Sequence, residues 1–433
     1  MVPSARISAA IEVLDDLLTR RRPAGDALKD WGLAHRFAGS GDRAAIAGLV
    51  YDALRRKASA AWIMGEETPR AIVLGMLKRE RGFNADAVAR FADGSRFAPA
   101  VLTESEHARL AADNLAAAPA HVVGDYPEWL DPHFAQVFGD ERSEEGAALA
   151  ARAPVDLRVN MLKADAVKAA ATLAEYGPEP TRWSSCGLRI TLDAQARNPA
   201  LHAEPAFLKG WIELQDEGSQ LAALFAAAKP SEQVVDLCAG AGGKTLALAA
   251  MMENRGRIHA TDDDKRRLAP IHARLERAGV RNVEVHTPRP GADPIAGVAG
   301  RADLVLVDAP CTGTGAWRRN PDAKWRVRPG ALEQRQADQV KVLDRAAGLV
   351  RVGGRVAYVT CSVLDAENGA QVRGFVARQP GFAIVPPEQV SEPLGERAFM
   401  FRRAVLMTPE GLLMTPRRTH TDGFFVSVLR RVS

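Results

Sequence analysis

Two cysteines in this sequence stand where a reactive thiolate could be built. Cys311 follows the apolar segment ADLVLVDAP and Cys361 follows RVAYVT, and both segments are typical of buried β-strands. A single cysteine among apolar residues is usually a small core residue. Two of them at strand ends, one directly after Asp308-Ala309-Pro310, instead favour a pair at one rim of a sheet. A thiolate is a strong nucleophile once its surroundings lower the thiol pKa.

A glycine-rich loop, DLCAGAGGKT at residues 236–245, is a candidate ligand site. It ends like an ATP-binding P-loop, which requires the pattern Gly-x-x-x-x-Gly-Lys-Ser/Thr. The required first glycine falls on Cys238, so a nucleoside-triphosphate loop is excluded. The glycines that remain still allow a tight turn and a close approach of backbone to ligand. They are Gly240, Gly242 and Gly243.

A second acidic strand end follows the glycine loop. The segment RIHATDDD predicts a strand that ends at Asp262, where a carboxylate can accept hydrogen bonds from both ribose hydroxyls of a nucleoside cofactor. Asp263 and Asp264 are expected to be the N-cap and a first-turn acid of the next helix. The spacing fits a dinucleotide and S-adenosylmethionine equally well. The loop therefore predicts a nucleoside cofactor and leaves its identity open.

The order of the apolar segments predicts how these residues are positioned. From Trp211 onwards, β-rich segments such as QVVDLCAG alternate with helical segments such as KTLALAAMM. This alternation predicts a parallel, doubly wound sheet whose ligands bind at the C-terminal ends of the strands. The cysteines, the glycine loop and the acidic strand end are then expected at the same rim.

Three domains are predicted from changes of pattern along the chain. Residues 1–125 are rich in Ala and Leu with helical spacing, as at Ile7, Ile11, Leu14 and Leu18, and predict a helical bundle. Residues 126–210 contain the strand-like DLRVN and GLRITL around a helix that ends at Gly177, and predict a small α/β module. Residues 211–433 form the doubly wound domain.

Composition is that of an ordinary soluble protein. The chain is 47% hydrophobic and 25% charged, and its net charge of +4 does not by itself predict nucleic-acid binding. Its basic clusters, such as Arg318-Arg319 with Lys324, are each more typical of a solvated face, although together they permit an RNA partner. We expect no signal peptide and no membrane span, and the sequence leaves the oligomeric state open. The four cysteines have no C-x-x-C spacing and no nearby histidine, so we expect no disulfide, no metal and a cytoplasmic protein.

These motifs together resemble a known family. DLCAGAGGKT resembles the D-x-C-A-A-P-G-G-K-T loop of the RNA 5-methylcytosine methyltransferases of the bacterial Sun/RsmB and eukaryotic NOP2 type. VDAPCTGTG resembles their D-A-P-C motif, and YVTCSVLDAEN resembles their T-C-S segment followed by Glu-Asn. Three further segments also match: QDEGSQ (215–220), RRNPDAKW (318–325) and TDGFF (421–425). The resemblance thus extends in order from residue 215 to residue 425.

The resemblance also covers the two preceding regions. LRVNMLK (157–163) looks like the RNA-binding α/β domain of the family, and DRAAIAGLVYDALRR (42–56) resembles the NusB-like RNA-binding domain of its ribosomal RNA enzymes. The implied fold is a Rossmann-like class I methyltransferase domain preceded by a small α/β RNA-binding module and a helical NusB-like bundle.

The resemblance implies roles for individual residues. Cys361 would be the nucleophile that adds to C6 of cytosine, and Cys311 would assist its release. Asp308, protonated because burial raises its pKa, would hydrogen-bond the base near N3 and also contact the cofactor. Lys244 would pair with the cofactor carboxylate or reach the active centre. The residues expected to bind S-adenosylmethionine are Cys238, Ala239, Gly240, Ala241, Gly242, Gly243, Lys244, Asp262 and Asp308.

The sequence departs from the family pattern at the expected adenine contact. The family usually has a Gly-Asp pair after the third strand, where this chain has His286-Thr287, and Asp293 follows six residues beyond Thr287. We therefore assign no residue to the adenine amine. Ala241 replaces the proline of the glycine loop, and Gly218 replaces an alanine.

Several alternatives accompany the leading prediction of cytosine-C5 methylation of small-subunit ribosomal RNA. The same chemistry on transfer RNA stays open, as does a non-catalytic RNA-binding assembly factor of the same fold. DNA methylation is disfavoured because DNA cytosine-C5 enzymes usually carry their nucleophile in a Pro-Cys segment. An NAD-dependent oxidoreductase would leave both rim cysteines without a role. An extrahelical or single-stranded cytosine is implied as the substrate.

Overall fold

The computed structural model describes residues 1–193, 199–289, 291 and 293–433. Contacts within the chain define two compact units, residues 1–152 with 317–328 (unit 1) and residues 153–316 with 329–433 (unit 2). The three-domain division at residues 125/126 and 210/211 stays a prediction. Within the described ranges, no helix is both long and apolar enough to span a bilayer.

The helices of the described residues are, in chain order, α1 (Pro3–Arg20), α2 (Ala24–Ala34), α3 (Ser40–Arg55), α4 (Lys57–Met64), α5 (Pro69–Arg79), α6 (Ala85–Phe91), α7 (Glu104–Ala111), α8 (Ala120–Val123), α9 (Asp131–Phe138), α10 (Arg142–Ala150), α11 (Ala166–Thr172), α12 (Pro205–Leu208), α13 (Glu217–Phe225), α14 (Gly243–Met251), α15 (Lys265–Leu268), α16 (Ile271–Ala278), α17 (Pro321–Arg326), α18 (Pro329–Leu349), α19 (Gly369–Arg378), α20 (Pro387–Val390), α21 (Ala398–Ala404) and α22 (Pro416–Thr419). The strands are β1 (Val155–Val159), β2 (Glu179–Pro180), β3 (Gly187–Ile190), β4 (Ile212–Leu214), β5 (Gln233–Asp236), β6 (Arg257–Thr261), β7 (Val283–His286), β8 (Ala302–Asp308), β9 (Val350–Thr360), β10 (Phe382–Ile384), β11 (Leu406–Thr408), β12 (Gly411–Met414) and β13 (Phe424–Arg431).

Unit 1 is helical, as the spacing of its apolar residues predicts. Ile7 and Leu14 of α1 are buried in its core, and Ile11 and Leu18 pack against that core. These positions recur every three to four residues, so one face of α1 is turned inward while the other meets solvent.

The basic segment 317–328 is part of unit 1, and this corrects the prediction that its cluster forms a solvated face. Trp317 is buried and stacks on Phe134, with ring centroids 6.0 Å apart. Lys324 is 1% exposed and donates to the carbonyl of Arg55 at 3.0 Å. Burial lowers the pKa of Lys324 to about 7, opposed by the buried carboxylate of Asp125. Lys324 therefore lies in the interior of unit 1, where buried polar groups are its partners.

Unit 2 contains a small and a large sheet. The small sheet, in the order β2-β3-β1-β4, is antiparallel, and its core includes residues of α11 and α12. The helix predicted to reach Gly177 ends earlier: α11 stops at Thr172 and a short 3₁₀ turn at residues 174–176 leads to Gly177 in the left-handed conformation.

The large sheet runs in the order β11-β12-β13-β9-β8-β5-β6-β7, with β10 paired to β13. Strands β5 to β9 are parallel, whereas β13 pairs antiparallel with β9. The parallel, doubly wound core that the sequence predicts is therefore present. Because β5, β6, β8 and β9 are parallel, they end at one rim of the sheet, at Asp236, Thr261, Asp308 and Thr360.

Candidate active site

Cys311 and Cys361 lie side by side at this rim. β8 ends at Asp308 and its parallel neighbour β9 ends at Thr360, so each cysteine follows closely after a strand. The two Sγ atoms are 3.4 Å apart, and both side chains are partly exposed. The hydrogen bond with Cys361, followed by burial, raises the pKa of the Cys311 thiol well above its ordinary value. Cys311 therefore keeps its proton and can donate an S–H hydrogen bond to the sulfur of Cys361.

A buried carboxylate holds the two loops that carry these cysteines. Glu367 has no exposed surface and accepts hydrogen bonds from the backbone N–H of Thr312 at 2.8 Å and from Nε2 of Gln339 at 3.1 Å. The same Gln339 amide donates to the carbonyl of Pro310 at 2.9 Å. The loop after β8 is thus tied to the segment after β9 and to α18, so buried polar contacts maintain the distance between the sulfurs.

The glycine loop turns tightly between β5 and α14. Gly240 and Gly242 have positive φ angles of 50° and 84°, which a residue with a Cβ rarely adopts. A Cβ on Gly242 would lie 2.5 Å from Cγ1 of Ile271. The carbonyl of Ala241 accepts a hydrogen bond from Nη1 of Arg274 at 2.8 Å. Alanine at position 241, where the family usually has proline, therefore leaves an ordered turn.

Replacing Gly242 with Ala should destabilise unit 2, because the new Cβ combines a left-handed backbone with a steric clash. We expect the free energy of unfolding to fall by about 1–3 kcal/mol, measured by urea denaturation. Gly243→Ala is the matched control, since a Cβ there would first meet Nε2 of Gln215 at 3.6 Å, an ordinary contact. Equal losses in both variants would contradict the steric account.

Asp262 lies directly after β6 and beside the glycine loop. Its Oδ2 accepts from the backbone N–H of Gly240 at 2.9 Å, and its Oδ1 accepts from that of Asp264 at 2.9 Å. Asp264, not Asp263, is the N-cap of α15, one residue later than predicted, and the side chain of Asp263 is 99% exposed. A carboxylate offers about four acceptor positions, so Asp262 keeps capacity for ribose hydroxyls after both backbone contacts.

Asp308 is not the buried carboxyl that the sequence analysis predicts. Its side chain is 34% exposed, and its Oδ2 lies 2.7 Å from Nζ of Lys244. Lys244 is itself 8% exposed and lies over the ring of Phe424 at 5.1 Å. Lys244 thus contacts Asp308, and its pairing with the cofactor carboxylate stays a prediction. Asp308 Oδ2 therefore accepts a hydrogen bond from the ammonium group of Lys244.

Two further side chains of the loop segment 236–245 are those of Asp236 and Cys238. Asp236 is 1% exposed, and burial raises its pKa to about 7 although Thr245 Oγ1 donates to it at 2.7 Å. Its other oxygen, Oδ1, has no partner among the residues that the structure describes. Burial and the carboxylate of Asp308 raise the pKa of the Cys238 thiol well above its ordinary value. Cys238 is therefore a neutral lining residue beside the two rim cysteines.

Comparison with known proteins identifies the family of this chain. A family model described as 16S rRNA methyltransferase RsmB/F matches residues 223–430. The chain is 32% identical over 310 residues to the probable ribosomal RNA small subunit methyltransferase B of Synechocystis sp.. That alignment covers 71% of this chain and 67% of the relative. The chain belongs to the RsmB/F methyltransferase family.

Two further relatives have names of the same family. The probable ribosomal RNA small subunit methyltransferase B of Bacillus subtilis is 30% identical over 308 residues, covering 71% of this chain and 66% of that protein. The chain thus spans about two thirds of the length of these two relatives. The ribosomal RNA small subunit methyltransferase F of Cronobacter sakazakii is 33% identical over 282 residues, covering 64% of this chain and 57% of that protein.

Two crystal structures share the fold. PH0851 superimposes with a TM-score of 0.70 and 26% identity over 99% of each chain. A methyltransferase homologue from Pyrococcus horikoshii has a TM-score of 0.57 and 25% identity, over 72% of this chain and 97% of that one. The predicted Rossmann-like class I methyltransferase fold and the predicted family are confirmed. As a member of the RsmB/F family, the chain is an RNA methyltransferase, while the roles of its individual site residues stay predictions.

The family's usual adenine contact remains unassigned in this RsmB/F member. The carbonyl of His286 accepts from Thr261 Oγ1 at 3.0 Å, and its ring is hydrogen-bonded within the sheet. Asp293 accepts from Nη2 of Arg345 at 2.8 Å. Pro290 and Ala292, in the same segment, lie outside the described residues.

Sequence reasoning noted the Glu-Asn pair of the T-C-S segment without giving it a role. Glu367 connects the loop after β8 to α18 through its buried hydrogen bonds. Asn368 accepts a hydrogen bond from Thr360 Oγ1 and donates to the carbonyl of Ser362 at 2.9 Å. A charged residue and an amide that directly follow a predicted buried strand end were the available signal, because such groups require buried partners.

Proposed function

We propose that this protein transfers a methyl group from S-adenosylmethionine to C5 of cytosine in small-subunit ribosomal RNA, through a covalent bond between Cys361 and C6. The observation that carries the proposal is the pair of partly exposed sulfurs, 3.4 Å apart, at the strand ends next to the glycine loop. C5 of cytosine is a poor nucleophile until another group adds at C6, and a thiolate is suited to that addition.

The residues at the rim fit S-adenosylmethionine. The backbone at Gly240 can be approached closely, since even a Cβ there would first meet Nη2 of Arg267 at 3.6 Å, an ordinary contact. Asp262 is 3% exposed and has acceptor capacity directed to this region, which suits ribose hydroxyls. The loop from Cys238 to Lys244 would line the methionine part. When bound, S-adenosylmethionine supplies an electrophilic methyl group on a positively charged sulfur.

Cys361 and Cys311 divide the chemistry between them. Attack by the thiolate of Cys361 forms the Sγ–C6 bond and moves an electron pair towards C5, which then takes the methyl group. A base then takes the C5 proton, a role proposed for Cys311 as a thiolate; the C–H electron pair re-forms the C5–C6 double bond, the Sγ–C6 bond breaks and Cys361 leaves as a thiolate. Cys311 is the group next to this bond, so it is proposed to assist the release.

Because the two thiols are in contact, the surroundings of Cys311 change when Cys361 reacts. The hydrogen bond with Cys361 is the largest cause that raises the pKa of Cys311. Once Cys361 is bonded to C6 its sulfur carries no proton, so Cys311 is the remaining titratable thiol of the pair.

Asp308 enters the proposal as a carboxylate. It would accept a hydrogen bond from the exocyclic amine of cytosine, while the ammonium of Lys244, 2.7 Å from Oδ2, supplies positive charge beside the ring as electron density builds up. The half-exposed side chain paired with Lys244 replaces the buried Asp308 that the sequence predicted.

The direct test is methyl transfer to purified RNA from cells that lack this gene. Small-subunit ribosomal RNA, the intact small subunit and total transfer RNA are each incubated with labelled S-adenosylmethionine, and the product is located by bisulfite sequencing. We expect 5-methylcytosine in the ribosomal RNA. Labelling of transfer RNA alone would assign the alternative substrate, label on another atom would overturn the chemistry, and no label in any RNA would favour an assembly factor.

Asp262→Asn should weaken binding of S-adenosylhomocysteine, because an amide replaces a carboxylate opposite the ribose hydroxyls. A hydrogen bond to a charged group contributes about 1.5–3 kcal/mol, so the dissociation constant should rise about 10- to 150-fold by isothermal calorimetry. The neighbouring Asp263→Asn is the control, since that side chain is 99% exposed and should leave binding unchanged. Unchanged affinity in Asp262→Asn would remove Asp262 from the cofactor site.

A further inference from the structure

Two histidines and a glutamate come together on one face of the large sheet, away from the cysteine pair. In the register of β6 and β7, His259 pairs with Glu284 and Thr261 with His286. Side chains alternate along a strand, so His259, Glu284 and His286 project from the same face of these two strands. One ligand atom from each lies within 4.8 Å of the other two.

The distances suit a small divalent cation. Nδ1 of His259 and Nε2 of His286 are 2.9 Å apart, and Oε atoms of Glu284 lie 3.7 Å from the first nitrogen and 3.8 Å from the second. Zinc with ligand bonds of about 2.0–2.1 Å and tetrahedral angles separates its ligand atoms by about 3.3 Å. Shifts of a few tenths of an ångström in these side chains would therefore place all three at bonding distance.

The environment favours the ligand form of these groups. His259 is 5% exposed, and burial, followed by the neighbouring His286, lowers its pKa, so the imidazole is neutral at pH 7. Its other nitrogen, Nε2, lies 3.2 Å from Nε2 of Gln233. When Nδ1 binds a metal, Nε2 carries the proton, so the Gln233 amide must be turned to present its oxygen as the acceptor that orients the ring. Glu284 is 53% exposed, so solvent can reach the site, and Arg257 lies 3.9 Å from its Oε2.

We propose that His259, His286 and Glu284 form a zinc site, completed by water, that clips the edge strand β7 to β6. Two imidazoles and one carboxylate are a ligand set that zinc accepts with an open fourth position. Among the described residues, β7 is the last strand of the large sheet in this direction and is paired with β6 alone. Asp262 follows the end of β6, so the clip would stabilise the strand that carries it.

Sequence reasoning expected no metal because it considered only clusters around cysteine. His259 and His286 are 27 residues apart, and only the parallel register of β6 and β7 brings their rings together. The ordinary alternative is a hydrogen bond between two neutral imidazoles, which requires no cation.

The test is a zinc titration of the full-length, untagged protein by calorimetry, combined with thermal denaturation. The paired thiols at the active site also bind zinc, so every titration uses the Cys311→Ser, Cys361→Ser background. We expect one zinc ion per chain and a higher melting temperature with zinc. His286→Ala should weaken this binding at least about 100-fold, more than loss of an outer-shell partner usually costs a metal site.

Two further variants make the result decisive. Glu284→Gln changes an exposed side chain with little effect on folding, so it reports on the ligand set even if His286→Ala is unstable. It should weaken zinc binding, whereas His272→Ala, an exposed histidine of α16, should leave it unchanged. Cobalt in place of zinc should give the visible bands of a tetrahedral site without thiolate charge-transfer bands. The proposal would be overturned if the protein with the unaltered site took up no zinc. It would also be overturned if His286→Ala and Glu284→Gln bound zinc as tightly as that protein.

Discussion

Cys361→Ala is expected to abolish methyl transfer. Without the sulfur no bond forms at C6, so C5 is never activated, and kcat should fall by at least about 10⁴-fold in a labelled-methyl assay with ribosomal RNA. The fold should survive, because Cys361 is partly exposed and the buried contacts of Glu367 do not involve its side chain.

Cys186→Ala is the matched control for a cysteine removed elsewhere in unit 2. Cys186 is also partly buried, but it packs in the core of the small sheet, where its sulfur lies 3.4 Å from Ser184 Oγ. This variant should turn over at close to the original rate. Substantial methyl transfer by a folded Cys361→Ala variant would refute the covalent mechanism.

Cys311→Ala should give the opposite phenotype, a covalent protein–RNA adduct that accumulates. Cys361 can still attack C6 and C5 can still be methylated, but the step that re-forms the double bond loses its nearest proton carrier. The complex should resist denaturing gel electrophoresis and require S-adenosylmethionine to form in quantity. Its formation should disappear in the Cys311→Ala, Cys361→Ala double variant.

The alternative assignment exchanges the roles of the two cysteines. If Cys311→Ala turned over normally and Cys361→Ala formed the adduct, the assignment of nucleophile and release group would be reversed. Because the sulfurs are only 3.4 Å apart, the fold positions either of them near the same base. The assignment of Cys361 as nucleophile rests on its match to the T-C-S cysteine of the family, and the raised pKa of the Cys311 thiol is in accord with it.

The sequence predicted the parts of this fold that follow from local pattern. Apolar strands alternating with helices indicated a parallel sheet, and a parallel sheet brings the ends of its strands to one rim. For that reason Cys311, Cys361 and the glycine loop were predicted together, and the structure has them together. The P-loop was excluded by a single residue, Cys238.

The sequence did not predict contacts that depend on distances between elements. Burial of Asp308 was inferred from the proton that it would need to hydrogen-bond the base at N3, yet the side chain is 34% exposed and paired with Lys244, which is 64 residues away in sequence. The cluster around Lys324 was expected on a solvated face because charge usually is. Its burial depends on Asp125 and the helices around it, which no local pattern reveals.

The membership of residues 317–328 in unit 1 has a consequence for how this protein can be dissected. A chain that began at residue 153 would keep this segment but lose the aromatic partner of Trp317 and the carboxylate near Lys324. A large indole and a formerly enclosed ammonium group would then meet water, which favours aggregation of such a fragment. The amino-terminal helices are therefore needed to keep residues 317–328 covered.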